Sequence, residues 1–171
     1  IIMFEDIDEA LQRRVNSLGI PSVRVNTNVR NAPGTITFAE MQAMSLAVEH
    51  FIERDRRELA LLCASSGHYS MRLRKKGFLV AATKRKLPPV SVVFLDKIRA
   101  RDPQEAEREI ERLLRKRPRV NGILLAEDMM APALYRVAAR LGKSIPGDIA
   151  VIGVNNSLVA SSVRSEERRV G

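Results

Sequence analysis

Apolar positions along this chain follow two alternating rhythms. Short apolar-rich runs occur at Ile1 to Phe4, Ile20 to Val25, Glu58 to Cys63, Val90 to Leu95, Gly122 to Ala126 and Ile149 to Val154, the first and the last two with no polar side chain. Runs of this length without polar alternation predict strands buried on both faces of a parallel sheet. Between them, apolar residues recur three and four positions apart. Ile7, Leu11, Val15 and Leu18 form one stripe, and Met41, Met44, Val48, Phe51 and Ile52 another. Ala106, Ile110, Leu113 and Leu114 form a third, and Leu134, Val137, Ala138 and Leu141 a fourth. That spacing predicts helices with one buried face. A regular β-α-β-α succession implies an α/β, doubly wound parallel sheet with right-handed crossovers and helices on both faces.

Local signals punctuate the pattern. Gly19 and Gly142 stand where helices end, and Pro33-Gly34 marks a turn. Thr37 and Glu40 have the spacing of a capping box, the hydroxyl accepting from the third amide and the acid reaching back. Asp102-Pro103-Gln104-Glu105 opens a helix with cap, first-turn proline and acid in order, and Glu111 is set to pair with Arg115 one turn on. Pro132 suits the first turn of its helix.

Chemistry concentrates where the last two strands end. Glu127 and Asp128 leave one, and Asn155 and Asn156 leave the other. Open α/β sheets bind ligands at that carboxyl edge. Elsewhere the signals for chemistry are thin. The loop Ala64-Ser65-Ser66-Gly67 lacks the P-loop and dinucleotide fingerprints. His50 and His68 are isolated, no nucleophile has a visible base, and no metal spacing appears. The reading is therefore of a non-enzyme with no cofactor and no metal.

Bulk properties narrow the class. The chain has 171 residues, 45% of them apolar, and a single cysteine, Cys63, which ends an apolar run and reads as a small buried hydrophobe. Internal disulfides and multi-cysteine metal sites are excluded. No stretch is apolar enough to span a membrane, and Glu5, Asp6, Asp8 and Glu9 interrupt any signal peptide, so a cytoplasmic location is expected. The net charge of +9 invites a nucleic-acid reading. The cations, however, cluster at Arg72 to Lys86 and Arg112 to Arg119 without interleaved aromatics, a pattern of solvated helix faces rather than base contacts.

Three segments carry a resemblance. They are Gly142-Lys143-Ser144-Ile145-Pro146-Gly147-Asp148-Ile149-Ala150-Val151-Ile152-Gly153, the run Ser70-Met71-Arg72-Leu73-Arg74-Lys75-Lys76-Gly77-Phe78, and Ile20-Pro21-Ser22-Val23-Arg24-Val25. In this order and spacing they resemble the effector-binding domain of the LacI/GalR family of transcriptional regulators, across nearly the whole chain. The resemblance implies a two-lobed, periplasmic-binding-protein-like fold. Residues 1–54 would be part of the N-terminal lobe and residues 55–163 most of the C-terminal lobe, with both ends truncated. It implies a ligand-sensing and dimerising domain that binds a sugar or related polyol between the lobes. It also implies a homodimer that reaches DNA through a domain absent from this chain, either an N-terminal one or a C-terminal AraC-type one. A periplasmic sugar-binding protein of a transporter is the alternative.

The resemblance also implies a site. Arg74 matches an arginine that hydrogen-bonds effector in relatives, and its planar fork suits vicinal hydroxyls or a carboxylate. Asp128 matches an acidic position that serves either as ligand contact or as helix cap. Asn155 stands where an aspartate is usual, and Gln42 is a further polar contact. Departures at Glu127, Asn155 and Ala39-Glu40 leave the ligand open. Finally, Arg164 to Gly171 breaks with the preceding pattern and reads as a translated sequencing adapter. It is excluded from fold reasoning.

Overall fold

The strands assemble into two parallel sheets. In the computed structural model, which describes residues 2–4, 7–28, 34–64, 67–95 and 103–158, the first sheet holds β1 (Ile2–Phe4), β2 (Val23–Val25) and β3 (Thr35–Ile36) in that order. The second is ordered β5-β4-β6-β7, comprising β4 (Leu59–Cys63), β5 (Ser91–Phe94), β6 (Gly122–Leu125) and β7 (Ala150–Gly153). Five helices alternate with them: α1 (Glu9–Ser17), α2 (Glu40–Glu53), α3 (Tyr69–Lys84), α4 (Pro103–Lys116) and α5 (Ala131–Arg140). Every strand pair is parallel. Cys63 lies opposite Phe94, Leu62 opposite Leu125, and Leu125 opposite Gly153. The carboxyl ends of the four strands therefore open on one edge.

The second sheet is covered on both faces, which is why β4 and β6 read as unbroken apolar runs: all their residues are buried. Successive side chains point to opposite faces. Leu59, Leu61 and Cys63 pack with Met44, Val48, Phe51, Met71 and Phe78 from α2 and α3. Ala60 and Leu62 pack with Ile110 and Leu114 of α4 and with Leu134 and Val137 of α5. Burying side chains such as Phe51 and Phe78 contributes about 1.5–3 kcal/mol each. Cys63 is fully buried within this core, as its place in the apolar run predicts.

One helix sits differently from the sequence-based division into lobes. The apolar stripe of α2 covers the second sheet, and α2 packs most extensively against α3, so it groups with the second sheet although it precedes residue 55. Gly77 makes that packing close. A methyl group there would fall 2.7 Å from Met41 Cα and 2.9 Å from its carbonyl oxygen.

Helix ends follow their signals. After α5, the Gly142 amide donates to Ala139 and the Lys143 amide to Ala138, the paired bonds of a Schellman motif, with Gly142 at φ +66. Arg136 binds Glu107 at 2.6 Å and Arg140 reaches Glu107 and Glu111, joining α5 to α4. The Glu111–Arg115 pair forms at 2.9 Å. Arg56 donates to the carbonyls of Pro146 and Gly147, tying the exit of α2 to the turn before β7.

The first sheet departs from expectation in two ways. β3 has only two residues, too short for any periodicity to register. On the predicted stripe of α1, Ile7 and Val15 are buried, but Leu11 is 48% and Leu18 57% exposed. Three strands of two or three residues offer too little surface to cover the whole helix face. No described helix is long and apolar enough to cross a membrane. Asp102, the Ser65-Ser66 pair and Arg164 to Gly171 lie outside the described residues.

Candidate functional site

Four elements converge at the carboxyl edge of the second sheet, and the side chain at their centre is Arg74, one turn before Gly77. Only 6% of its surface is exposed. Its Nε donates to Glu40 Oε2 at 2.6 Å and its Nη2 to Glu40 Oε1 at 3.1 Å, a bidentate pair with a carboxylate that is itself 3% exposed. Nη1 donates to the Ala126 carbonyl at 2.5 Å, and Nη2 also reaches Asn155 Oδ1 at 3.3 Å. One guanidinium thus joins the start of α2, the second turn of α3, the end of β6 and the end of β7.

Glu40 extends this cluster to the first sheet, accepting from Asn26 Nδ2 at 3.1 Å. The capping role predicted for Glu40 is not what forms. Ala39 occupies the cap position of α2, without a side-chain cap bond. A buried arginine one helix away is the stronger partner for a carboxylate than the amide of its own first turn. Asn26 follows β2 at φ 51, and Asn155 follows β7 at φ 95. Asparagine tolerates this left-handed region better than other side-chain-bearing residues, so the amides stand where both strands turn sharply.

Beside Arg74 lies a groove of about 420 Å³ lined by Phe38, Ala39, Glu40, Gln42, Ala43, Leu46, Arg74, Val154 and Asn155. This is within the range of small-ligand sites. Ala39 at the cap and positions 42, 43 and 46 of α2 form one side of the groove, with Phe38 and Leu46 exposed. Of the sequence-predicted residues, Arg74, Asn155 and Gln42 meet here. Asp128 does not line the groove. Its carboxylate accepts from the Ser157 amide at 2.6 Å and the Ser157 hydroxyl at 2.8 Å, fastening the segment after β7. The 3-10 turn Asp128–Met130 has Glu127 at its cap position and no side-chain cap bond, so Asp128 holds the neighbouring loop rather than its own helix end. Gly153 lies against this contact, where a Cβ would come within 2.9 Å of Asp128 Cβ.

Two further side chains make local polar contacts. Arg72 donates to the Gly67 carbonyl and lies over the Tyr69 ring. His50 accepts from Arg54 Nε at 2.8 Å. Among the described residues, no group of three or more His, Cys, Asp or Glu side chains is placed to hold a metal ion. Neither the burial of Glu40 nor the place of Asn26 in the cluster is marked by a sequence motif. The strand-end logic that selects Asn155 applies equally to Asn26 and would have found it.

A family model described as a periplasmic binding protein-like domain matches residues 48–165. The HTH-type transcriptional regulator GntR of Pseudomonas aeruginosa is 28% identical over 149 residues, which cover 86% of this chain and 43% of that relative. The ribose operon repressor of Halalkalibacterium halodurans is 24% identical over 160 residues, covering 91% of this chain and 47% of the repressor. Among solved structures, the Lac repressor bound to ONPG in the repressed state matches with a TM-score of 0.76 at 21% identity, covering 91% of this chain and 46% of that one. At that identity the likeness is one of fold. The chain spans less than half the length of these three proteins.

Proposed function

This chain belongs to the family of periplasmic binding protein-like domains, and from that membership we propose that it is the ligand-sensing and dimerising part of a DNA-binding transcriptional regulator. Its effector is a sugar or related polyol held between the lobes, with Arg74, Asn155 and Gln42 as contacts. The protein acts as a homodimer and meets DNA through a domain outside this chain. The observation that carries the reading is the buried Arg74 cluster, which gathers polar groups from two helices and two strand ends at the edge where open α/β sheets bind ligands. Two relatives named as transcriptional regulators support the regulatory half of the proposal.

The mechanism follows from the geometry. Glu40 joins Asn26, just after β2 of the first sheet, to Arg74 on α3, which covers the second. A ligand that hydrogen-bonds both sides favours one relative placement of the sheets, and it shifts the equilibrium by the difference in its affinity for the two placements. A dimer converts that shift into a change in the spacing of its DNA-binding parts.

The test is calorimetric titration of the intact protein with a panel of sugars and polyols, followed by DNA binding at its own promoter with and without any ligand found. Binding that changes DNA affinity supports the proposal. Tight binding without any effect on DNA would instead fit a transport receptor, and no binding across the panel would remove the effector role.

A further inference from the structure

We infer that this site takes uncharged polyhydroxyl ligands and rejects their carboxylate counterparts, because Arg74 is already neutralised from within by Glu40. The inference rests on the sensing role proposed above and adds the chemical class of the ligand.

An arginine in a binding cleft ordinarily invites a carboxylate, which its fork can hold by two parallel bonds. Here that geometry is taken. Glu40 occupies the Nε and Nη2 edge of the guanidinium at 2.6 and 3.1 Å, and both side chains are buried. The Ala126 carbonyl and Asn155 Oδ1 accept two more hydrogens. These bonds engage four of the five N–H groups that a guanidinium carries. What remains is enough for one ligand oxygen and too little for a bidentate acid.

The charge balance points the same way. The buried cation of this cluster, Arg74, is matched by Glu40, and Glu127 follows directly after Ala126 at the same edge. The neighbouring cations of α3 face other partners, Lys75 lying over the Phe94 ring and Arg72 bound to the Gly67 carbonyl. An incoming carboxylate would meet like charge in a desolvated place, the repulsive element by which a site discriminates between otherwise similar ligands.

A separate observation concerns what the site lacks. Asn26 Oδ1 is buried and has no hydrogen-bond partner among the described residues. The orientation of this amide is fixed, because its Nδ2 donates to Glu40 and an ionised carboxylate only accepts. A buried acceptor left unpaired is costly, and a hydroxyl donated by a ligand would relieve it. A carboxylate has no hydrogen to give. A polyol in the groove supplies an oxygen to Arg74, and Asn26, which bonds the groove-lining Glu40 from behind, is the adjacent acceptor for a hydroxyl that reaches past it.

The experiment uses matched pairs of one carbon skeleton, glucitol with gluconate and galactose with galacturonate, titrated into the intact protein and its Glu40→Gln variant. The neutral member of a pair should bind wild type at least about tenfold more tightly than the acid, the scale of one charged hydrogen bond. In Glu40→Gln, which frees the guanidinium charge, that preference should shrink or invert. An acid that binds wild type as tightly as its neutral partner, with binding lost in Arg74→Gln, overturns the inference and leaves the sensing role standing. Failure of all four compounds on both proteins overturns the two together. If Glu40→Gln does not fold by circular dichroism, the wild-type ratio alone decides.

Discussion

Gly77 on α3 faces Met41 on α2 so closely that a single added carbon would sit 2.7 Å from Met41 Cα and 3.1 Å from Met44 Cβ. Real side chains do not approach backbone at that distance, so the two helices meet only because residue 77 is glycine. Arg74 lies one turn before it, and Glu40 immediately precedes Met41. The close approach therefore sets the distance across which the ion pair forms. Gly77→Ala should lose about 1–3 kcal/mol of stability by overpacking, read as a lower urea midpoint. A wild-type midpoint would mean that α2 and α3 separate freely, and the ion pair would then owe nothing to the glycine.

Removing one partner of a buried ion pair is worse than removing both. Arg74→Ala leaves the Glu40 carboxylate buried beside Asn26 with no counter-charge, an arrangement that costs about 3–5 kcal/mol. Replacing the pair together, as Arg74→Met with Glu40→Leu, should recover much of that loss. Chemical denaturation of the three proteins checks this. Equal losses in the single and double variants would show that the pair is not coupled.

Much of the fold was legible in the sequence because strands covered on both faces advertise themselves. The apolar runs predict β4 and β6 to within one residue of their observed starts and ends, and the position of Gly142 predicts the stop of α5. The site was legible in part. Arg74 and Asn155 are hydrogen-bonded at one sheet edge, but the resemblance gives a position to an arginine without saying what else reaches it. Glu40 fitted a local capping pattern, and only its distance from Arg74 in space, across 34 residues of sequence, reveals the stronger partner. The placement of α2 was hidden for a related reason: an apolar stripe says that a helix is covered, not by which sheet.

Asp128 makes a prediction of its own. Its two bonds to Ser157 hold the chain after β7, which carries Asn155 into the groove. Asp128→Ala should cost about 1.5–3 kcal/mol, as for a hydrogen bond to a charged group. It should also raise hydrogen exchange at the Ser157 amide relative to the amides of β4. Unchanged protection at Ser157 would show that the loop is held by something else.

The α4–α5 contact should respond to acid. Hydrogen bonds from Arg140 and then Arg136 hold the Glu107 carboxyl below its ordinary value of 4.5, against a smaller opposing effect of burial. A folded-state value below the unfolded one contributes stability that is fully present above 4.5 and lost as pH falls through the lowered value. Glu107→Gln should accordingly melt below wild type at about pH 7, and the two curves should merge toward about pH 2. A gap that persists unchanged in acid would assign the effect to packing.

The bond from Asn26 to Glu40 has a mechanical consequence. It spans 3.1 Å between a residue anchored to the first sheet and a carboxylate clamped by the second. If the sheets part, Asn26 is pulled from a carboxylate that stays clamped to Arg74. The separation of two rigid layers is thereby converted into a change in how one negative charge is shared. The molecule thus carries its own strain gauge at the point where a ligand would act, and the stiffness of that gauge is set by a single amide.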